Sequence, residues 1–499
     1  DVDIKIIILS VPKLKQNFIY AITFLTGLIS VFGFSPFNVY IVPVLTILLF
    51  LYLHQHSRSL FTSSILFGLG FFLGGVHWIF ISLNIFGQMP TILAAFSTLL
   101  FCLFLSIFFL PLAWVSHRMS IIVLPALFTL VEWLRSFIFT GFPWLSYGYS
   151  QLPDSPLAGY FPITGVHGVT FLVFLSATLL FTIISNHRKS LKLISFFSLT
   201  LIWLGGHYFH KIEWTQPFKE PFSVSLIQGN ITQDEKWDKA LVNQSLKKYI
   251  ELIERSSNSL IILPETSIPL LFQNLPSSFK KRLHDHARKI EGDVIIGAIE
   301  KTNDKYFNSA VSIGKNGEQR YQKFHLVPFG EFIPFKFFLK FIYQNWLNIP
   351  FSDLSKGPRF QEPFLHNGIR LAINICYEDV FGYEITKPLP DANILVNLSN
   401  DAWYGQSIAS KQHLQIAQGR ALETGRMMLR STNTGATAII SPKGKVLDEL
   451  HLFKEGVLNG YAQGYEGSTF YIRYGNYPIV ILCGLLLIIC FVKRKNSRF

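Results

Sequence analysis

Charge is scarce in this chain. Asp, Glu, Lys and Arg make up 15% of its 499 residues, against roughly 25% in an average soluble protein. The scarcity is also uneven. Between Gln16 and His210 the charged residues are Arg58, Arg118, Glu132, Arg135, Asp154, Arg188, Lys189 and Lys192. So long a stretch with so little charge excludes an ordinary soluble domain. Cysteine is scarce too: Cys102, Cys483 and Cys490 lie in apolar runs, and Cys376 is the single thiol of the polar C-terminal half. A lone thiol has no partner for a disulfide within its own domain. No Gly-x-Ser-x-Gly elbow occurs, and no His is followed five residues later by Asp. These absences exclude a serine-hydrolase elbow and a His-x4-Asp acyltransferase. The 14 histidines form no metal-ligand cluster, so neither a metal nor a cofactor is expected. His284-Asp285-His286 reads as a solvated helix face. There are no internal repeats, low-complexity linkers or coiled-coil heptads.

The apolar half is membrane-like. A bilayer-spanning helix needs roughly 20 mostly apolar residues, and Gly and Pro divide the region into seven candidate spans. They fall near 18–34, 39–54, 63–84, 90–115, 120–140, 165–185 and 192–209, with a shorter eighth from Pro478 to Val492. Basic residues set the orientation. With the N-terminus inside, the inner loops hold Arg58, Arg118 and Arg188-Lys189-Lys192, and the outer loops hold Asp154 but no Lys or Arg. The organisation expected is therefore a transmembrane domain over 1–212, an extracytoplasmic domain over 213–474, and a last span with a basic cytoplasmic tail over 475–499. The net charge of +13 is then largely a topology signal and calls for no nucleic acid. The first span reads as an anchor rather than a cleaved signal. Glu132 and Arg135, three apart on one helix face, can pair; a structural pair is favoured over a lipid-headgroup contact.

From about Trp214 to Phe470 the texture is that of an α/β domain. Strand-like runs at Phe222–Gln228, Leu260–Leu263, Asp293–Ile299, Ile369–Cys376, Ile394–Asn397, Thr437–Ile440 and Val446–Leu450 alternate with helix-like stretches at Leu241–Glu254, Ser277–Ile290 and Lys411–Arg426. This alternation predicts layered packing. The aromatic, partly basic segment from Pro334 to Trp346 fits neither element, and reads as a buried helix or as an arm on the membrane surface.

Three segments carry chemistry. Ile261-Ile262-Leu263-Pro264-Glu265 ends an apolar strand in a carboxylate. Tyr321-Gln322-Lys323 places an ammonium eight residues before Glu331. Asn374-Ile375-Cys376-Tyr377-Glu378-Asp379 ends a strand in a thiol. A carboxylate beside a thiol can serve as its base, and an ammonium can stabilise an oxyanion. In this order, these segments resemble the Glu-Lys-Cys set of the nitrilase, or carbon–nitrogen hydrolase, superfamily. Further matches are Glu132-Trp133-Leu134-Arg135, Gly141-Phe142-Pro143-Trp144, Gly148-Tyr149-Ser150-Gln151, Gln228-Gly229-Asn230 with Trp237, Leu398-Ser399-Asn400-Asp401-Ala402-Trp403, and Arg430-Ser431-Thr432-Asn433-Thr434-Gly435. With these, nearly the whole chain is similar to the membrane-embedded apolipoprotein N-acyltransferase family.

The resemblance implies an α-β-β-α sandwich on a base of about eight membrane helices in a bacterial inner membrane, with the catalytic domain on the periplasmic side and the protein a monomer. It implies a ping-pong transfer: a phospholipid sn-1 acyl group, from phosphatidylethanolamine, passes through a thioester on Cys376 to the α-amine of a diacylglyceryl-cysteine at the start of an apolipoprotein. Glu265 would be the base and Lys323 the oxyanion donor. Glu331, Tyr377 and Glu378 would support them, and Trp237, Trp403 and Ser431 would contact substrate. The residues alone leave two alternatives open. A tethered amidase with water as acceptor shares the triad, although a soluble amide needs no membrane base. A transporter or lipid-binding scaffold carrying an inactive domain is opposed by the intact Glu265, Lys323 and Cys376.

Overall fold

The computed structural model describes residues 15–113, 123–237, 240–334 and 353–496, and of Trp237 and 493–496 the backbone alone. The aromatic segment at 335–346 lies outside the described residues. The chain forms two compact units. One comprises 1–77, 95–212 and 474–499, and the other comprises 78–94 and 213–473. The stretch 78–94, read from sequence as part of the apolar region, thus clusters with the α/β residues.

The apolar unit is built from α1 (Gln16–Ser30), α2 (Ile41–Gln55), α3 (Leu60–Val76), α4 (Thr91–Ser106), α5 (Leu124–Arg135), α6 (Phe161–Ser185), α7 (Lys189–Phe209) and a C-terminal helix, Tyr477–Asn496; α4 begins four residues before this unit resumes. Among the described residues, four apolar helical stretches are long enough to cross a membrane: Gln16–Gly33, Thr91–Phe109, Pro156–Ser185 and Lys189–Phe209. A fifth span is possible if Leu60–Val76 and Ile79–Phe86, bent by 58°, are joined. Ile41–Gln55 and Tyr477–Val492 are shorter apolar helices. Small residues let α1 and α3 touch backbone to backbone: a Cβ on Gly27 would lie 2.0 Å from the Phe67 carbonyl oxygen, and one on Gly70 equally close to that of Phe24. In an apolar solvent such close approach is a main source of helix association. The charges on α5 are buried and internally satisfied. Glu132 accepts from the Tyr147 N–H (2.8 Å) and the Thr170 hydroxyl (2.7 Å). Arg135 donates to the carbonyls of Phe142 and Trp144 and lies 3.9 Å from Glu132. The pair is a structural clamp.

In the α/β unit, strands β1 (Thr215–Gln228), β2 (Leu260–Ile262), β3 (Ile268–Leu271), β4 (Asp293–Thr302), β5 (Lys305–Gly314) and β6 (Gly317–Gln322) belong to one sheet, and β7 (Phe364–His366), β8 (Ile369–Ile375), β9 (Ile394–Ser399), β10 (Met427–Thr432), β11 (Ala438–Ile440) and β12 (Val446–Glu449) form the other. Strand β13 (Gly456–Gly467) returns to pair antiparallel with β1. Both sheets are mixed. Strands β1, β2 and β4 run parallel, as do β8, β9 and β10, while the flanking pairs are antiparallel.

Period-two alternation orders the layers. Leu260, Ile262, Ile295, Ile373, Ile375, Val396 and Leu429 share one core contributed by both sheets. The intervening Ile261, Val294 and Ile296 turn the other way, onto Leu246, Tyr249 and Ile250 of α8 (Val242–Glu254) and Leu283 of α9 (Ser277–Lys289). Ala372, Leu395 and Met428 likewise meet Leu414, Ala417 and Ala421 of α10 (Ala409–Thr424). The order is helix, sheet, sheet, helix. One polar expectation needs correcting: His286 is buried on α9, its ring 2.9 Å from the Ser256 carbonyl oxygen. Only part of that helix face is solvated, because the amphipathic helix turns position 286 inward beside Leu283 and Ala287.

Candidate active site

Parallel strands deliver their C-terminal ends to one side of a sheet, which is where α/β folds place ligands. Here β2 leads through Leu263 and Pro264 to Glu265, and β8 leads directly to Cys376. Lys323 follows β6 and is held to the sheet by its own N–H, which donates to the Asn308 carbonyl (2.8 Å). All three predicted catalytic residues are buried. Lys323 Nζ lies 3.1 Å from Glu265 Oε1 and 2.9 Å from Glu331 Oε2. The side-chain amide of Asn308, on β5, donates to both carboxylates at 2.7 Å. Glu331 also accepts from the Val327 N–H, which closes the turn after Lys323.

Cys376 turns out of β8 with φ 52, a left-handed conformation that is strained for a residue with a Cβ. Two devices hold it. Asn397, on the adjacent β9, donates to the Cys376 carbonyl (3.2 Å) and to Asn374 Oδ1. Glu378 accepts from the N–H groups of Ile375 (2.7 Å), Phe324 (2.7 Å) and His325 (3.1 Å), and from the Tyr321 hydroxyl (3.0 Å). One carboxylate thus fastens the Cys376 turn to the lysine loop. Tyr377 packs edge-on against Phe381, whose ring stacks on His325.

The electrostatics are those of charges in a dry site. Burial acts to raise the pKa of Glu265, but Lys323 and the Asn308 amide outweigh it and hold the carboxyl below its usual range. Burial acts to lower the pKa of Lys323; Glu265 and Glu331 reverse that and hold it well above the usual lysine value. The Cys376 thiol is pushed up, by burial first and by the Glu265 charge second, with Lys323 opposing. The resting state is therefore an ionised carboxylate, an ammonium and a protonated thiol. Burial also raises Glu378 to about 7 against its hydrogen bonds.

Of the remaining expected residues, Trp403 is half-buried, its ring edge-on to Phe86 at 6.0 Å, and its carbonyl accepts from the Ser82 hydroxyl (2.8 Å). Ser431 is fully buried, and its hydroxyl lies 2.9 Å from the Ile227 carbonyl and 3.1 Å from that of Ile262. It stitches β10 to the opposite sheet. Trp237 ends the short helix Gln233–Trp237, and its side chain lies outside the described residues.

Sequence reasoning missed several members. Asn308 is one. Lys236, immediately before Trp237, is buried and donates to Thr266 Oγ1 (2.6 Å) and the Glu265 carbonyl (3.3 Å). A second ionic cluster lies behind Cys376. His413 of α10 contacts Asp379 (2.8 Å) and Asp401 (3.0 Å), and Arg430 of β10 contacts Asp379 (3.0 Å), Asp401 (3.3 Å) and Asn397 Oδ1 (2.6 Å). The matched motifs contained Asp379, Asp401 and Arg430, but only the fold joins them to His413. Among the described residues no group of three or more His, Cys, Asp or Glu is placed to hold a metal.

Two family models match the chain: carbon–nitrogen hydrolase over residues 223–463, and the apolipoprotein N-acyltransferase N-terminal domain over 26–179. A relative from Nitrosomonas europaea named apolipoprotein N-acyltransferase is 44% identical, covering 93% of this chain and 95% of its own. The chain belongs to the apolipoprotein N-acyltransferase family. It is an acyltransferase of the carbon–nitrogen hydrolase superfamily. Relatives of the same name from Chromobacterium violaceum (37% identical; 95% of this chain, 93% of theirs) and Ralstonia nicotianae (36%; 98% and 96%) match over similar lengths. The apolar helices of one unit mark it as a membrane protein.

Proposed function

We propose that this acyltransferase moves the sn-1 acyl group of a phospholipid, phosphatidylethanolamine being the expected donor, through a thioester on Cys376 to the α-amine of the N-terminal diacylglyceryl-cysteine of apolipoproteins. The observation that carries this reading is the Glu265–Lys323–Glu331 cluster, with Glu265 and Lys323 buried, at the strand ends that also present Cys376. With the thiol protonated at rest, Glu265 takes the proton as sulfur attacks the ester carbonyl. Lys323 faces the oxyanion that forms, and collapse expels the lysophospholipid alkoxide, which recovers the proton from Glu265. In the second half the free amine attacks the thioester, loses a proton to Glu265 and leaves as an amide. The released thiolate then takes that proton back. One hard ester-to-amide exchange becomes two easier steps. Glu331, Tyr377 and Glu378 hold this geometry, and Trp237 and Trp403 shape the lipid-facing side.

The same reading places about eight spans over 1–212 and 475–499 in a bacterial inner membrane, residues 213–474 on the periplasmic side, and one copy per functional unit. Basic inner loops and the shorter apolar helices Ile41–Gln55 and Tyr477–Val492 support it. A cysteine introduced at exposed Leu447 should react with a membrane-impermeant maleimide in spheroplasts; protection until lysis would reverse the orientation.

The mechanism is tested by incubating the purified protein with acyl-labelled phosphatidylethanolamine. Label should be trapped on Cys376 and released by neutral hydroxylamine. Addition of a diacylated lipopeptide should then move the label to the peptide amine, whereas rapid loss of label to water alone would favour a hydrolase.

A further inference from the structure

Lys236 has no part in the scheme above, yet it reaches the same cluster of side chains. Its ammonium contacts Thr266 Oγ1 and the Glu265 carbonyl, both on the turn that carries the base. Thr266 has φ 42, where a β-branched residue is strained. The turn is pressed from the other side by Gly297 of β4. A Cβ there would lie 2.4 Å from the Pro264 carbonyl oxygen and 2.7 Å from Glu265 Cα. The Glu265 turn is thus pinned between a strand backbone and a buried ammonium.

The charges make a second argument. Glu265 and Glu331 share Lys323 and the Asn308 amide. Two carboxylates on one ammonium leave a net negative charge in a dry site, and such a pair tends to retain a proton. A retained proton on Glu265 would disable it as a base. Lys236 brings the count to two negative and two positive charges. The groups acting on Glu265 are Lys323 and Glu331 from the segment after β6, Asn308 from β5, Cys376 after β8, Tyr404 after β9, and Lys236.

We propose that Lys236 is a positioning residue for the transfer reaction, fixing the Glu265 turn and keeping its carboxylate ionised so that it can accept the thiol proton. This rests on the reading of Glu265 as the base. Burial lowers the pKa of Lys236 to about 7, against the pull of Glu265 and Cys376. Below that pH the ammonium is charged, which is the range where an unsupported Glu265 would take up a proton.

The test is single-turnover thioester formation on phosphatidylethanolamine micelles by the full-length protein, from mildly acid to mildly alkaline pH. An opposite charge within about 4–6 Å moves a carboxyl titration by roughly 1–3 pH units. Lys236→Met should therefore shift the acid limb upward by about one pH unit, slowing the reaction about tenfold on that limb while the rate recovers at higher pH. Lys236→Arg should keep the wild-type limb. A rate lowered by one factor at every pH, or an unmoved limb, overturns the proposal. If the Met variant fails to fold, Lys236→Gln keeps a donor to Thr266 without the charge and carries the same test. Glu265→Gln run in parallel separates the two ideas: a Gln variant that still forms thioester removes the base and this proposal with it, whereas an inactive one beside an unmoved Lys236→Met limb removes this proposal alone.

Discussion

The Glu265–Lys323–Glu331 cluster, with Lys236 beside it, and the Asp379–His413–Asp401–Arg430 cluster both lie largely out of water, and each sets two acids against two basic side chains. They differ in what they touch. The first faces the thiol of Cys376, and its members sit on turns after strands, one of them strained at Thr266. The second reaches Cys376 through Asn397, which takes a hydrogen bond from Arg430 and gives one to the Cys376 carbonyl. Its charges lie on helix α10, strand β10 and the turns after β8 and β9. Burial alone would raise Asp401, but Arg430 and His413 hold it down to about 2. Burial and Arg430 would lower His413, but Asp379 and Asp401 raise it. A closed ionic cluster of this kind sets a shape, whereas the first, on the proposed reading of Glu265 as the base, would pass a proton to and from a substrate.

That contrast breaks most clearly at the reactive cluster. Cys376→Ala should abolish labelled thioester, and Lys323→Met should slow its formation by roughly 10²–10³-fold, the usual loss for one oxyanion donor. Neither should unfold the protein to the same degree as a change in the second cluster, because Glu265, which Lys323 helps to hold ionised, can take up a proton when Lys323 is lost. In the second cluster Arg430→Met leaves Asp379 and Asp401 facing one histidine. Breaking a buried ion pair from one side costs about 3–5 kcal/mol, so the variant should lose its resistance to urea in pulse proteolysis. Full stability with a normal rate of thioester formation would show that the second cluster sets nothing.

That Glu265, Lys323 and Cys376 would come together was largely legible in sequence, because each ends or follows a strand in a short local pattern. Cys376 and Glu265 announce themselves as polar residues closing apolar runs. Asn308 and Lys236 do not. Asn308 lies in β5, where Ser309 and Ser312 are also buried polar residues, so no apolar alternation marks the strand. Lys236 gains its role only when its short helix meets the Glu265 turn, far along the chain. His413 is similarly silent, since α10 is buried on nearly every face and shows no polar stripe. Ser431, a polar residue inside a matched motif, makes hydrogen bonds between the sheets that its sequence position does not announce. The apolar half was readable as membrane-like from charge alone, but helix ends were not. The region near 120–140 contributes a helix of 12 residues, Leu124–Arg135, because the chain leaves the helix at Ser136 and turns back so that Arg135 can meet the Phe142 and Trp144 carbonyls.

Acid and base separate the second cluster's own members. A carboxyl whose folded pKa is depressed stabilises the fold above its unfolded pKa and loses that stability as pH falls through the folded value. For Asp401, between the usual 3.8 and about 2, this amounts to roughly 2 kcal/mol. His413 is raised, so its contribution is complete below the ordinary histidine pKa and fades as pH rises through the folded one. His413→Gln should flatten the alkaline side of a urea-stability profile and also shrink the acid side, because His413 helps to hold Asp401 down. A parent profile with no alkaline slope would mean that His413 is not charged in the fold.

The smallest effect belongs to the same chemistry placed in water. Arg282 on α9 makes two hydrogen bonds to Glu254 on α8, at 2.8 and 2.6 Å, a geometry as good as any in the buried clusters. Both side chains are more than a third exposed. Solvent and salt then screen most of the attraction. Glu254→Gln should lower stability by about 0.2–1 kcal/mol, and less as salt is added. A loss as large as that of Arg430→Met would mean that burial is not what separates the two kinds of pair. The contrast between the two interior clusters would then have to rest on hydrogen-bond geometry instead.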